Sequence, residues 1–232
     1  LVTATGAPKR TVHTIGTGSS APLGRLRCRL SRYTGINSTV GNSTITGGTV
    51  QIGNSSTVAG QTFQIDSVPP IFNLTVNADN NPATTMISNL TVSNTLTLNG
   101  TGAFTVGAST LTLNGPTIAG TPANLSTIAT SSLVFGGVTA SVFVPSSVAL
   151  LNNLTINNAN GITLSSSPTV NGTLTFTNGN LITTNINTLT MASTALAIVG
   201  AATGRHVVGN LARVFPASAG TSYVFAIGDG TN

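Results

Sequence analysis

A four-residue phrase recurs along this chain. Asn73-Leu74-Thr75-Val76, Thr95-Leu96-Thr97-Leu98, Thr110-Leu111-Thr112-Leu113, Ser132-Leu133-Val134-Phe135, Asn153-Leu154-Thr155-Ile156, Thr173-Leu174-Thr175-Phe176 and Thr188-Leu189-Thr190-Met191 share one pattern. Each places an apolar residue on either side of a small, usually hydroxylated one. In a strand, alternate residues point to opposite faces, so the two apolar residues of each phrase share one face and the Thr takes the other. The leucines step by 22, 15, 22, 21, 20 and 15 residues. Self-similarity at about this period marks a repeat architecture. One such unit cannot bury its apolar face alone, whereas stacked units can, Leu upon Leu.

The expected fold is therefore all-β, a parallel β-helix (β-solenoid), right-handed, with terminal strands capping or extending the stack. Counting each phrase as one rung, with shorter rungs at Ser38-Thr39-Val40, Ser43-Thr44-Ile45, Gly48-Thr49-Val50-Gln51-Ile52 and Ser56-Thr57-Val58, predicts about ten rungs. At about 4.8 Å each this makes a stack of about 50 Å. Asn-Gly pairs at 99–100, 114–115, 160–161, 171–172 and 178–179 supply turns. An antiparallel hairpin array is the rival, because Asn-Gly also makes two-residue hairpins. The period of about 20 residues favours the solenoid over the 8–12 expected of sandwich strands. Pro69-Pro70 marks a corner.

Charge supports the same reading. Only 5% of the 232 residues are charged, against about 25% in ordinary globular chains. Like charges on adjacent rungs would sit about 4.8 Å apart, so a parallel stack has little use for them. The net +5 belongs mainly to one end: Lys9, Arg10, Arg25, Arg27, Arg29 and Arg32 carry six of the eight positive charges. Arg205 and Arg213 carry the rest, and no Lys or Arg falls between Tyr33 and Gly204. Nucleic-acid binding by the whole surface is therefore not expected. Three parts follow: a basic segment 1–33 acting as cap or inter-subunit strand, repeats over 34–200, and a C-terminal strand module over 201–232.

Arg25-Leu26-Arg27-Cys28-Arg29-Leu30 alternates strictly, as a strand with one buried face does. It lacks interleaved aromatics for stacking on bases, and reads better as a capping or interface strand. Gly204–Asn232 is expected to supply two or three strands, one over Tyr223-Val224-Phe225-Ala226-Ile227. No run of 18 apolar residues predicts a membrane-spanning helix. The N-terminal LVTATGAPKRTVHTIG has neither an initiator Met nor the apolar core of a signal peptide, as expected of a processed chain or a fragment. Cys28 is the sole cysteine. It reads as a small buried apolar residue or, alternatively, as the site of an intermolecular disulfide.

Catalytic constellations are thin. Glycoside hydrolysis needs two nearby carboxyl groups, and the only acids are Asp66, Asp79 and Asp229. A triad would need His13 or His206; His206, beside Arg205 and in one terminal segment with Asp229, reads more simply as a partly exposed strand histidine. Asp229-Gly230-Thr231-Asn232 is too short and too poor in acids for a calcium loop. No enzymatic activity, cofactor or metal is expected.

The phrases NLTINNANGITL, TVNGTLTFTNGNLIT and NTLTM, with Gly204–Phe215 and Phe225–Gly230 after them, resemble the repeat region of large secreted surface proteins of Bacteroidetes and Chlorobi-type bacteria. The resemblance covers 72–232. It implies a β-solenoid, a cell-surface or extracellular location and export by type IX secretion, and it names no catalytic residue. The expected function is an extracellular structural protein, a β-solenoid building block of a surface fibre or filament. It would associate with itself through Arg25, Arg27, Cys28, Arg29, Arg32, Arg205, Arg213, Tyr223 and Phe225. The alternative is an adhesin-type module recognising glycans or another surface. Ice binding would need a flat, uninterrupted Thr face, against which the uneven 15-to-22 spacing argues.

Overall fold

The computed structural model describes residues 47–53, 57, 59–76, 82–195, 197–216 and 222–230, together with the backbone of two earlier strands, Val2–Thr5 and Leu26–Arg29. The chain is a parallel β-solenoid of about 8 turns, and no α-helix occurs among the described residues. One turn of 3₁₀-helix, Pro122–Asn124, lies at a corner. The stack is thus about 38 Å long.

Each turn visits three faces in the same order. On the first face, Thr49–Ile52, Asn73–Val76, Leu96–Leu98 and Ala119–Gly120 lie side by side. On the second, Thr62–Asp66, Ala83–Met86, Phe104–Thr105 and Leu125–Ser126 do so. The third runs from Leu90–Val92 through Thr110–Leu113, Ser132–Phe135, Leu154–Asn157 and Thr173–Asn178 to Ala197–Val199. Pro69-Pro70 sits at a corner, between strand Thr62–Asp66 and the bridge of Ile71 to Val92.

This arrangement corrects the expected register. The recurring leucines do not form one column. Leu74 pairs with Leu96 on the first face. Leu90, Leu111, Leu133, Leu154 and Leu174 stack on the third, in steps of 21, 22, 21 and 20. Leu189 belongs to neither file and pairs with Leu211. The 15-residue steps from Leu96 to Leu111 and from Leu174 to Leu189 are passages between faces of one coil. Counting them as rungs inflated the expected number of turns. Ser38–Val40 and Ser43–Ile45 lie outside the described residues, and Thr57 sits in a bend rather than a strand.

The alternation itself is as the sequence predicts: Asn73–Val76 and Thr110–Leu113 bury their second and fourth residues. The interior is a continuous apolar file, including Phe63, Phe104, Phe135 and Phe176. The outward file of the third face reads Thr91, Thr112, Val134, Thr155, Thr175, Val199. Its spacing is even, contrary to expectation, and what interrupts the Thr ladder is Val134 and Val199.

Asparagines close the corners. The Asn94 side chain donates to Asn73 Oδ1 over 2.8 Å. Asn153 Oδ1 accepts from the Thr173 N–H at 2.8 Å, while its amide donates to Ser132 Oγ at 3.3 Å. Each amide thus ties one turn to the next without charge. The Asn-Gly pairs sit at such corners and not in hairpins. Gly179 has a left-handed φ of 75°, and a Cβ at Gly115 would fall on the Asn94 carbonyl of the neighbouring turn.

Two features depart from the regular coil. Strand Val2–Thr5 pairs antiparallel with Thr49–Ile52, a strand the sequence reading missed. Between the fourth and fifth turns, the ladders of the first and second faces stop at Ala119–Gly120 and Leu125–Ser126. New ladders begin at Val142–Val144 and Leu150–Leu151, while the third face runs through unbroken. Further on, the 11-residue strand Leu181–Met191 rounds a corner and joins the first and second faces into one sheet.

Candidate functional site at the solenoid ends

The expected interface residues that the structure describes fall near both ends of the coil. Arg25 and Arg32 lie outside the described residues. Leu26–Arg29 is the end strand of the second face. It runs parallel to its neighbour, with Arg27 opposite Gln64, Cys28 opposite Ile65 and Arg29 opposite Asp66. The strict alternation seen in sequence therefore corresponds to a strand at a sheet edge.

At the other end, strand Val207–Arg213 runs along Leu181–Met191. On its far side, among the described residues, only Val207 and Val208 have a partner strand, Ile227–Gly228. Leu211–Arg213 has no strand beyond it among the described residues, and Ala197–Val199 ends the third face in the same way. Among the described residues, the last coil thus presents a parallel sheet edge.

A cluster of rings lies beside this edge. The Arg213 guanidinium sits 4.2 Å above the centre of the Tyr223 ring and donates through Nη2 to the Ala195 carbonyl at 2.9 Å. Phe215 meets Tyr223 edge-on at 5.3 Å, and its ring centre is 6.2 Å from that of Phe225. Phe215 is 58% exposed and Phe225 46%, with Val214, Val224 and Ile227 also exposed. Scattered exposed apolar residues are ordinary, whereas a group that includes two aromatic rings is a candidate contact surface. The cation over the ring holds Tyr223 in place at modest cost in exposed charge.

The structure therefore brings Arg213, Tyr223 and Phe225 together and adds Phe215, which the sequence reading missed. Its signal was the apolar pair Val214-Phe215 directly after an arginine and before Pro216. Arg205 stands elsewhere, before the opposite end of strand Val207–Arg213, with Nη1 donating to the Thr177 carbonyl at 3.4 Å. Tyr223-Val224-Phe225-Ala226 is not a strand; pairing is confined to Ile227–Gly228.

His206 is buried, not partly exposed. Its backbone N–H donates to Asn180 Oδ1 at 3.1 Å, and Nδ1 lies 3.3 Å from the Ala202 carbonyl. Gly228 packs flat on the imidazole, where a Cβ would collide with the ring. His13 and Asp79 lie outside the described residues. Asp66 Oδ1 accepts from Ser88 Oγ at 2.6 Å. Among the described residues no three His, Cys, Asp or Glu converge as a metal site, and no helix is long and apolar enough to cross a membrane.

Fold and ends together define the class, a parallel β-solenoid with an open apolar edge at its last described coil. No family model matches the sequence, and no curated protein or solved structure matches it either.

Proposed function

We propose that this chain is an extracellular structural element, a β-solenoid building block of a surface fibre that associates end to end with further copies. The observation that carries this reading is the last coil. It offers the backbone of Leu211–Arg213 and Ala197–Val199 for pairing beside an exposed group of Phe215, Phe225, Val214 and Val224. A parallel edge accepts another parallel strand through main-chain hydrogen bonds, and an adjoining apolar patch adds area that leaves water. The basic edge strand Leu26–Arg29 at the other end is the complementary surface in this proposal. A contact between unlike ends that does not close into a ring propagates as a filament. The neutral, amide-laddered body suits a stiff spacer. Extracellular location and export rest on the resemblance to bacterial surface repeats.

The test is concentration-dependent assembly of the 232-residue protein, followed by light scattering and electron microscopy at near-neutral pH. Filaments growing with concentration, and lost in Phe215→Glu with Phe225→Glu, are expected. Both rings are exposed, so the double variant keeps the parent's thermal midpoint. A parent that stays monomeric at high concentration, or a double variant that assembles as well as the parent, overturns the reading.

A further inference from the structure

The interruption between the fourth and fifth turns carries an inference independent of the ends. There the first-face ladder is replaced by one side chain. Thr117 Oγ1 donates to the Ser141 carbonyl at 3.1 Å and accepts the Phe143 N–H at 3.1 Å. Ser141 holds a left-handed φ of 58°, a conformation that costs energy for a residue with a Cβ and that clusters at functional positions. Its effect is to start Val142–Val144 with both valines inward and Phe143 outward. Phe143 is 41% exposed. It stands beside Thr163 of the next turn.

Because the ladders part here, the corner opens into a shallow depression of about 450 Å3. Phe143, Pro145 and Pro122 of the 3₁₀ turn line it, together with the hydroxyl-bearing Thr121, Ser146 and Ser165. None of its nine lining residues is charged. From Tyr33 to Gly204, moreover, the only charged side chains of the whole chain are Asp66 and Asp79. The site thus combines an exposed aromatic ring, small apolar walls, a few hydroxyls and no charge.

We propose that this depression binds a neutral carbohydrate. A pyranose ring has an apolar C–H face and a hydroxyl rim. The face matches the ring of Phe143, and the rim matches the hydroxyls of Thr121, Ser146 and Ser165 with the backbone groups that the parted ladders leave unengaged with each other. Apolar walls with a few placed polar groups are the usual make-up of a small-molecule site, and aromatic rings supply contact area at little entropic cost. An anionic glycan finds no cation here. The strained Ser141, tied down from the turn below, keeps the ring presented before ligand arrives, which lowers the ordering cost of binding.

Isothermal titration of the whole chain tests this with gluco-, manno- and N-acetylglucosamine hexasaccharides, and with a uronate hexasaccharide as charge control. At least one neutral sugar binds. Phe143→Ala weakens it by about tenfold or more, Phe143→Trp retains it, and Ser146→Arg, which fills the depression from its exposed rim, abolishes it. Thermal midpoints near the parent's show that the variants are folded; if Phe143→Ala lowers its midpoint, Ser146→Arg decides. Binding of none of the neutral sugars, binding of the uronate alone, or binding that survives both Phe143→Ala and Ser146→Arg overturns the proposal. No outcome depends on whether the ends assemble.

Discussion

Two glycines measure how tightly the turns press on one another. Gly179 and Gly204 share a left-handed φ, 75° and 70°. Replacing either by Ala places a Cβ in the left-handed region, at about 1–2 kcal/mol. Their surroundings differ. A Cβ at Gly204 meets nothing within 4 Å, whereas at Gly179 it falls on the Asn158 carbonyl of the preceding turn. A backbone carbonyl cannot swing aside as a side chain can, so the turns must part locally. The hydrogen bonds at risk are Asn158 N–H to the Asn178 carbonyl, 3.1 Å, and Ile162 N–H to the Asn180 carbonyl, 2.9 Å. At about 1 kcal/mol each, Gly179→Ala costs about 3–4 kcal/mol in all. For a chain of this size each kcal/mol lowers the thermal midpoint by about 2–4 °C. Circular dichroism melts are therefore expected to show losses of about 4 °C for Gly204→Ala and about 10 °C for Gly179→Ala. Equal shifts would refute the idea that inter-turn packing, rather than local conformation, requires glycine at 179.

Leu154 is wholly buried between Leu133 and Leu174. Leu154→Ala is expected to cost about 3–4 kcal/mol in urea titration, and Leu150→Ala, 43% exposed, less than about 1 kcal/mol; similar losses would sink the assignment of the inner file. Asn153→Ala removes one bond to each neighbouring turn. About 1–2 kcal/mol is expected from the unsatisfied Thr173 N–H, read as a lower urea midpoint with an unchanged slope. A neutral result would show that water replaces the amide there.

The separate outcomes at Leu96 and Leu111 show where sequence reasoning stops. Both sit in the same phrase, and their strand and inward side follow from alternation alone. Their 15-residue separation looked like a rung and is instead a passage from the first face to the third within one coil. A strand pattern records which side of a strand is apolar, but not which of three faces that strand occupies. At the ends, Arg213, Tyr223 and Phe225 stood out by composition, since charge and aromatics are scarce. Phe215 did not, because its role comes from the ring geometry with Tyr223. Phe143 was also passed over, although Val142-Phe143-Val144 puts it outward by the same alternation that buries the leucines.

The all-β character, the stacking of like residues, the neutral body and the clustering of charge outside it are all legible in the order of the residues. Those properties are carried by local alternation and by the cost of repeating a charge along a stack. The three-faced coil and its true turn length, the antiparallel strand at Val2–Thr5, the burial of His206 against Gly228, and the parting of two ladders between the fourth and fifth turns emerge in three dimensions alone. Each depends on which segment lies alongside in space, and inter-strand bonding leaves no mark on the residues that take part in it.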